Sequence, residues 1–189
     1  MITIYIHGFG GSGNGVKATF FRNYFKSKQI DFFAPSLSYV PDLAINTLEE
    51  FIQNYHGKIN LIGSSLGGYY SIYLATKYKL KAVLINPSIY PYKTLTQVLG
   101  YAHNFYDESK FEWNHKHINM LTKYEVSSLN EKNFLLLVQT GDELLDYREA
   151  LKKLPNAHLI LEDGGNHSFE NIENHFDAIV NFFNSSSKS

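Results

Sequence analysis

Lys58-Ile59-Asn60-Leu61-Ile62-Gly63-Ser64-Ser65-Leu66-Gly67-Gly68-Tyr69 decides how the chain is read. An apolar, strand-like run ends at Gly63, and a helix-like run follows from Tyr69 to Tyr78. G-x-S-x-G between a strand and a helix marks a sharp turn that holds a serine hydroxyl exposed. Ser65 is therefore the candidate nucleophile. Ser64 does not fit the pattern, because its flanking positions would be Ile62 and Leu66. Gly63 and Gly67 are expected at a close strand–helix approach, where a Cβ would clash.

Outward from this turn, strand-like and helix-like segments alternate, which predicts a parallel sheet covered by helices on both faces. The strand candidates are Ile2–Ile6, Ile30–Ala34, Ile59–Ile62, Ala82–Ile85, Phe134–Gln139 and His158–Leu161. Several are unbroken apolar runs, as in strands buried on both faces. The helix candidates are Gly15–Lys28, Asp42–Tyr55, Leu66–Tyr78, Tyr147–Lys153 and Glu170–Phe183. In the second, Leu43, Thr47, Phe51 and Tyr55 share a face at i, i+4 spacing, and Asp42 is a candidate N-cap. The stretch from Pro87 to about Lys132 breaks the rhythm. It carries no clear strand, and it is too aromatic for disorder, with Tyr101, Phe105 and Trp113 among its rings. It is expected to be a partly helical insertion over the sheet's carboxyl edge. Residues 1–184 read as a single domain, and residues 185–189, a serine-rich tail, as disordered.

A serine nucleophile needs a base, a group that orients the base, and donors for the oxyanion. Two later strand candidates end in suitable loops. Phe134–Gln139 is followed by Thr140-Gly141-Asp142-Glu143, and His158–Leu161 by Glu162-Asp163-Gly164-Gly165-Asn166-His167. Asp142 is the candidate orienter and His167 the candidate base. Glu143 and Asp146 are rival acids, with Asp146 also placed to cap a helix. Taken singly, each residue has a plain alternative: a Gly-Asp-Glu turn is most often only a turn, and His167 is one of 8 histidines. Their joint placement at successive strand ends carries the assignment. The oxyanion donors are expected to be the backbone amides of Leu66, at a helix start, and of Phe9, in His7-Gly8-Phe9-Gly10-Gly11-Ser12-Gly13.

Other chemistries are weighed against this one. Gly8, Gly10 and Gly13 satisfy the G-x-G-x-x-G spacing of dinucleotide sites, but Asp31 falls too early in its strand to bind a ribose. His115-Lys116-His117 lacks an acidic or cysteine neighbour and reads as a solvated segment, not a zinc site. His7 is expected to hydrogen-bond to local backbone. The chain is 44% hydrophobic with a formal net charge of −1, which is not the basic footprint of a nucleic-acid binder. No apolar stretch is long enough to span a membrane. Cysteine is absent, which excludes disulfides and thiolate chemistry. The first residues read as a strand and not a signal peptide, so a cytoplasmic location is expected.

Several segments together resemble one family, the small YqiA-like esterases of the α/β-hydrolase superfamily. They are Ile6-His7-Gly8-Phe9, Gly63-Ser64-Ser65-Leu66-Gly67-Gly68-Tyr69-Tyr70, Asn86-Pro87-Ser88, the stretch from Leu136 through Gly141-Asp142-Glu143 to Arg148, and Gly164-Gly165-Asn166-His167-Ser168-Phe169-Glu170. Asn166 departs from the aspartate the family often carries there. The resemblance implies a compact α/β-hydrolase with a six-stranded parallel sheet in the order 2-1-3-4-5-6. It also implies a carboxylic ester hydrolase with Ser65, Asp142 and His167 as its triad. The expected substrate is a small acyl ester of short or medium chain length, and no cofactor is expected. A thioesterase with the same triad and a non-catalytic ligand-binding module are the alternatives.

Overall fold

The computed structural model describes residues 1–185. Six strands form one parallel sheet: β1 (Ile2–Ile6), β2 (Asp31–Phe33), β3 (Ile59–Ser64), β4 (Lys81–Ile85), β7 (Phe134–Gln139) and β8 (His158–Glu162). Their order is β2-β1-β3-β4-β7-β8, with β1 and β3 side by side as interior strands. Counted within this sheet, the order is the expected 2-1-3-4-5-6. Every residue of β3, β4 and β7 is buried, which is why those strands read as nearly continuous apolar runs.

Alternation along the strands splits the core in two. Ile4, Leu61, Leu84 and Leu136 face α2 (Pro41–Asn54) and α3 (Leu66–Tyr78). Tyr5, Ile62, Val83 and Leu137 face α1 (Val16–Ser27) and α7 (Phe176–Asn184). A further helix, α6 (Tyr147–Lys153), lies between β7 and β8 in the chain.

Three local expectations are corrected. The buried face of α2 is Ala44, Ile45, Leu48 and Ile52, while Leu43 is 54% exposed. Ala44 is fully buried, and Phe51 packs at the flank, stacked between Phe33 and Tyr55. Asp42 does not cap α2. Val40 holds the N-cap position and Pro41 the first turn, while the Asp42 carboxylate accepts from Lys123 and Tyr124. The expected helix Glu170–Phe183 is broken: Asn171 is left-handed at φ 55°, a 3-10 turn spans Ile172–His175, and only then does α7 begin.

The segment from residue 87 to 132 contains α4 (Pro91–Thr94), a 3-10 turn (Leu95–Val98), an antiparallel hairpin of β5 (Gly100–His103) and β6 (Lys110–Trp113), and α5 (His115–Thr122). The hairpin corrects the expectation of a strandless insertion. Its strands are four residues each and mostly exposed, too short and polar for their alternation to show in the sequence. Of the tail expected from Ser185, Ser185 itself accepts from the Lys81 ammonium through its hydroxyl at 2.8 Å, and residues 186–189 lie outside the described residues.

Candidate active site

Ser65 sits between β3 and α3 at φ 55°, ψ −120°, a region that costs a non-glycine residue about 1–3 kcal/mol. The surroundings leave it no alternative. A Cβ on Gly67 would lie 1.9 Å from the Ile6 carbonyl oxygen, and one on Gly63 would lie 2.2 Å from the Gly67 carbonyl oxygen. Helix, elbow and β1 are therefore in backbone-to-backbone contact. The Ser65 amide donates to Ile85 O at 3.1 Å, and its carbonyl accepts from Ser88 at 3.0 Å. Both bonds tie the nucleophile candidate to the end of β4 and the loop that follows it.

The three residues expected to act together lie in one hydrogen-bonded line. His167 Nε2 is 3.0 Å from Ser65 Oγ, and His167 Nδ1 is 2.9 Å from Asp142 Oδ2. The Asp142 side chain is almost wholly enclosed, and its Oδ1 accepts from the amides of Leu144 and Leu145, each at 2.9 Å. Burial by itself would raise the Asp142 pKa. The hydrogen bonds from His167 and from those two amides outweigh it and hold the carboxyl below its ordinary value. The rival acids have other partners. Asp146 caps α6 through the Arg148 amide at 3.0 Å and pairs with the Arg148 guanidinium, while Glu143 accepts from the backbone amide of His167 at 2.9 Å.

The amides of Phe9 and Leu66 have no hydrogen-bond acceptor among the described residues. Phe9 and Leu66 both line the cavity at Ser65. The loop that carries Phe9 is held from both sides. His7 bonds through Nδ1 to Gly8 O at 2.8 Å and accepts at Nε2 from the Leu37 amide at 2.9 Å. Those two bonds define a neutral imidazole protonated at Nδ1, and burial lowers the His7 pKa accordingly. On the other side, the Phe9 ring packs edge-on to Trp113 at 4.8 Å, and Phe105 N donates to Gly10 O at 2.7 Å.

Two supporting residues lay outside the candidate set. Asn86, at the end of β4, donates through Nδ2 to Asn166 O at 2.9 Å and His167 O at 3.2 Å, and accepts from the Gln139 amide. Gln139, the last residue of β7, accepts at Oε1 from the amides of Asn166 and Glu170 and donates to Glu162. Both clamp the loop that carries His167. A single signal could have flagged them: each is a polar amide that ends an otherwise apolar strand run, where burial demands partners.

No group of three or more metal-ligating side chains occurs among the described residues. His117, expected in a solvated segment, instead stacks on Trp113 at 5.1 Å and closes a capping box at the start of α5. Among the described residues no helix is long and apolar enough to cross a membrane.

This sheet order, with a strand–serine–helix elbow beside the first βα loop, defines the α/β-hydrolase fold. Solved structures agree at the level of fold. Alpha/beta hydrolase domain-containing protein 10 from mouse superposes with a TM-score of 0.77 at 18% identity, over 95% of this chain and 89% of that one. Est1E from Butyrivibrio proteoclasticus gives 0.74 at 15% identity, over 96% and 86%. Residues 2–184 match the model of the family described as "Uncharacterised protein family (UPF0227)", and the chain belongs to that family. A curated relative, UPF0227 protein YcfP of Salmonella arizonae, is 24% identical over 194 residues, covering 95% of this chain and 97% of the relative. The resemblance read from the motifs thus holds at family level.

Proposed function

We propose that the protein is a serine esterase that cleaves carboxylic esters of short or medium acyl chains. Ser65 Oγ attacks the acyl carbon as His167 Nε2 takes its proton. The developing oxyanion is held by the amides of Phe9 and Leu66, and Asp142 stabilises the imidazolium. Collapse expels the alcohol, which takes its proton from His167. A water then attacks the acyl-serine with His167 as base, releasing the acid and restoring the hydroxyl. No step calls for a cofactor. The observation that carries this reading is the unbroken line from Ser65 through His167 to an enclosed Asp142, at 3.0 and 2.9 Å. The cavity of about 570 Å³ at Ser65 supports the acyl assignment, with Leu95, Val98, Leu99 and Leu145 in its walls.

A fluorophosphonate probe tests the nucleophile. Two variants distinguish the adjacent serines: Ser64→Ala should still label, and Ser65→Ala should not. Ser65→Ala should also lose hydrolysis of acyl esters by up to about 10⁶ in kcat. Retention of more than about a tenth of the wild-type rate would remove Ser65 from this role. Matched esters and acyl-CoAs of graded chain length, assayed together, identify the acyl carrier.

A further inference from the structure

Two cavities meet at Ser65. The one described above lies under the 3-10 turn and β5 of the insertion. A second, of about 550 Å³, opens between the loop after β1, the first turn of α1 and the loop after β8. Ser65, His167, Phe9 and Phe105 border both. An ester attacked at Ser65 has two limbs that must leave the acyl carbon in different directions. With the acyl chain in the leucine-lined first cavity, the second cavity is left for the alcohol. His167 lies on its wall, where a departing alkoxide would collect its proton.

One lysine and no arginine line this second cavity, and the lysine is Lys17. Its ammonium donates to Ser168 O at 2.8 Å and takes part in none of the ion pairs among the described residues. An ammonium has three donors, so two remain to be satisfied. The nearby acids are otherwise engaged: Asp142 by His167, and Glu170, on the same wall, by Asn166 Nδ2 at 2.7 Å. Burial pushes the Lys17 pKa down to about 8, with Asp142 pulling it partly back. A half-buried cation without a carboxylate partner, in the wall of a cavity that Ser65 and His167 also line, is a site made ready for an anion.

We propose that the second cavity receives the alcohol limb of the substrate and that this limb carries a carboxylate recognised by Lys17. A single ammonium, with no guanidinium fork beside it, suits a monoanion better than a phosphate dianion. The proposal rests on the serine-esterase reading for the turnover that delivers the alcohol.

Two butyrate esters test it, one of 3-hydroxybenzoate and one of 3-hydroxybenzamide. They share the acyl group and the ring and differ in charge. Wild type should favour the carboxylate ester about tenfold in kcat/KM, the ratio that 1.4 kcal/mol gives. In Lys17→Met the ratio should fall to about one, while Lys17→Arg keeps most of it. A wild-type ratio near one overturns the proposal. So does a Lys17→Met variant in which both rates drop together at constant ratio, since that makes the lysine only an anchor for Ser168. Calorimetric binding of free 3-hydroxybenzoate and 3-hydroxybenzamide to wild type and Lys17→Met gives a second measurement that needs no turnover. Benzoate bound about tenfold tighter than benzamide, with the difference lost in Lys17→Met, supports the site even if neither ester is hydrolysed and the esterase reading fails. Equal binding of the two, or no binding of either, overturns it.

Discussion

At the elbow, position is fixed by backbone packed on backbone; across the cavity, in residues 87–132, it is fixed by aromatic side chains packed on a loop. Gly63 and Gly67 admit no Cβ at all. The insertion instead divides its rings between two jobs. Phe111 and Trp113 point inward, and Trp113 is fully buried, edge-on to Phe9 and bonded through Nε1 to Leu95 O at 3.1 Å. Tyr101 and Phe105 stand 79% and 80% exposed on the cavity wall. The difference teaches that a feature needing atomic approach leaves a mark on residue type, whereas a feature made of packed rings shows only as aromatic content. One face of the hairpin packs Phe111 and Trp113 inward, while Tyr101 and the turn residue Phe105 line the cavity.

The sharpest break of this comparison lies at the acid. Asp142→Asn should leave the fold intact and lower kcat by as much as about 10⁴, because His167 loses the acceptor that sets its tautomer. Asp146→Asn, by contrast, should act only through the cap of α6, at about 1 kcal/mol of stability or less. Equal kinetic losses in the two variants would transfer the role away from Asp142.

Next comes the hairpin's inner face. Trp113→Ala should destabilise the protein by about 3–5 kcal/mol in a denaturant titration, as for other buried aromatics. Phe105→Ala and Tyr101→Ala should hardly move the melting temperature. Instead they should change the ratio of kcat/KM between short and longer acyl esters, by an amount within the roughly 1–3 kcal/mol per methylene that apolar pockets discriminate. Stability losses at Phe105 and Tyr101 like that at Trp113, with the ratio unchanged, would make the whole hairpin core.

The smallest expected effect concerns pH. Lys17 loses its charge as pH rises through about 8 in the free protein. The preference in kcat/KM for the carboxylate ester should therefore be full below that pH and fade above it. A bound carboxylate stabilises the ammonium, so the same decline should come at higher pH in kcat than in kcat/KM. A ratio that stays level through this range would detach the preference from Lys17. Asp142 cannot mimic this decline: its carboxyl is held below its ordinary value, so it is already ionised throughout.

The sheet was legible because its strands are buried on both faces and write that burial as apolar runs, and the elbow because close approach admits only glycine on either side of Ser65. Asp142 and His167 were legible as residues at strand ends. That Asp142, and not Glu143 or Asp146, faces the imidazole was decided by the turn in which Leu144 and Leu145 donate to its carboxylate. The clamps at Asn86 and Gln139, the inward turn of Trp113 and the placing of Lys17 beside Ser168 likewise belong to tertiary structure. Each joins residues far apart in the chain, from 18 apart for Trp113 and Leu95 to 151 for Lys17 and Ser168. Local periodicity records which face of an element is buried. It does not record which distant polar atom will meet another when two strand ends come to lie side by side.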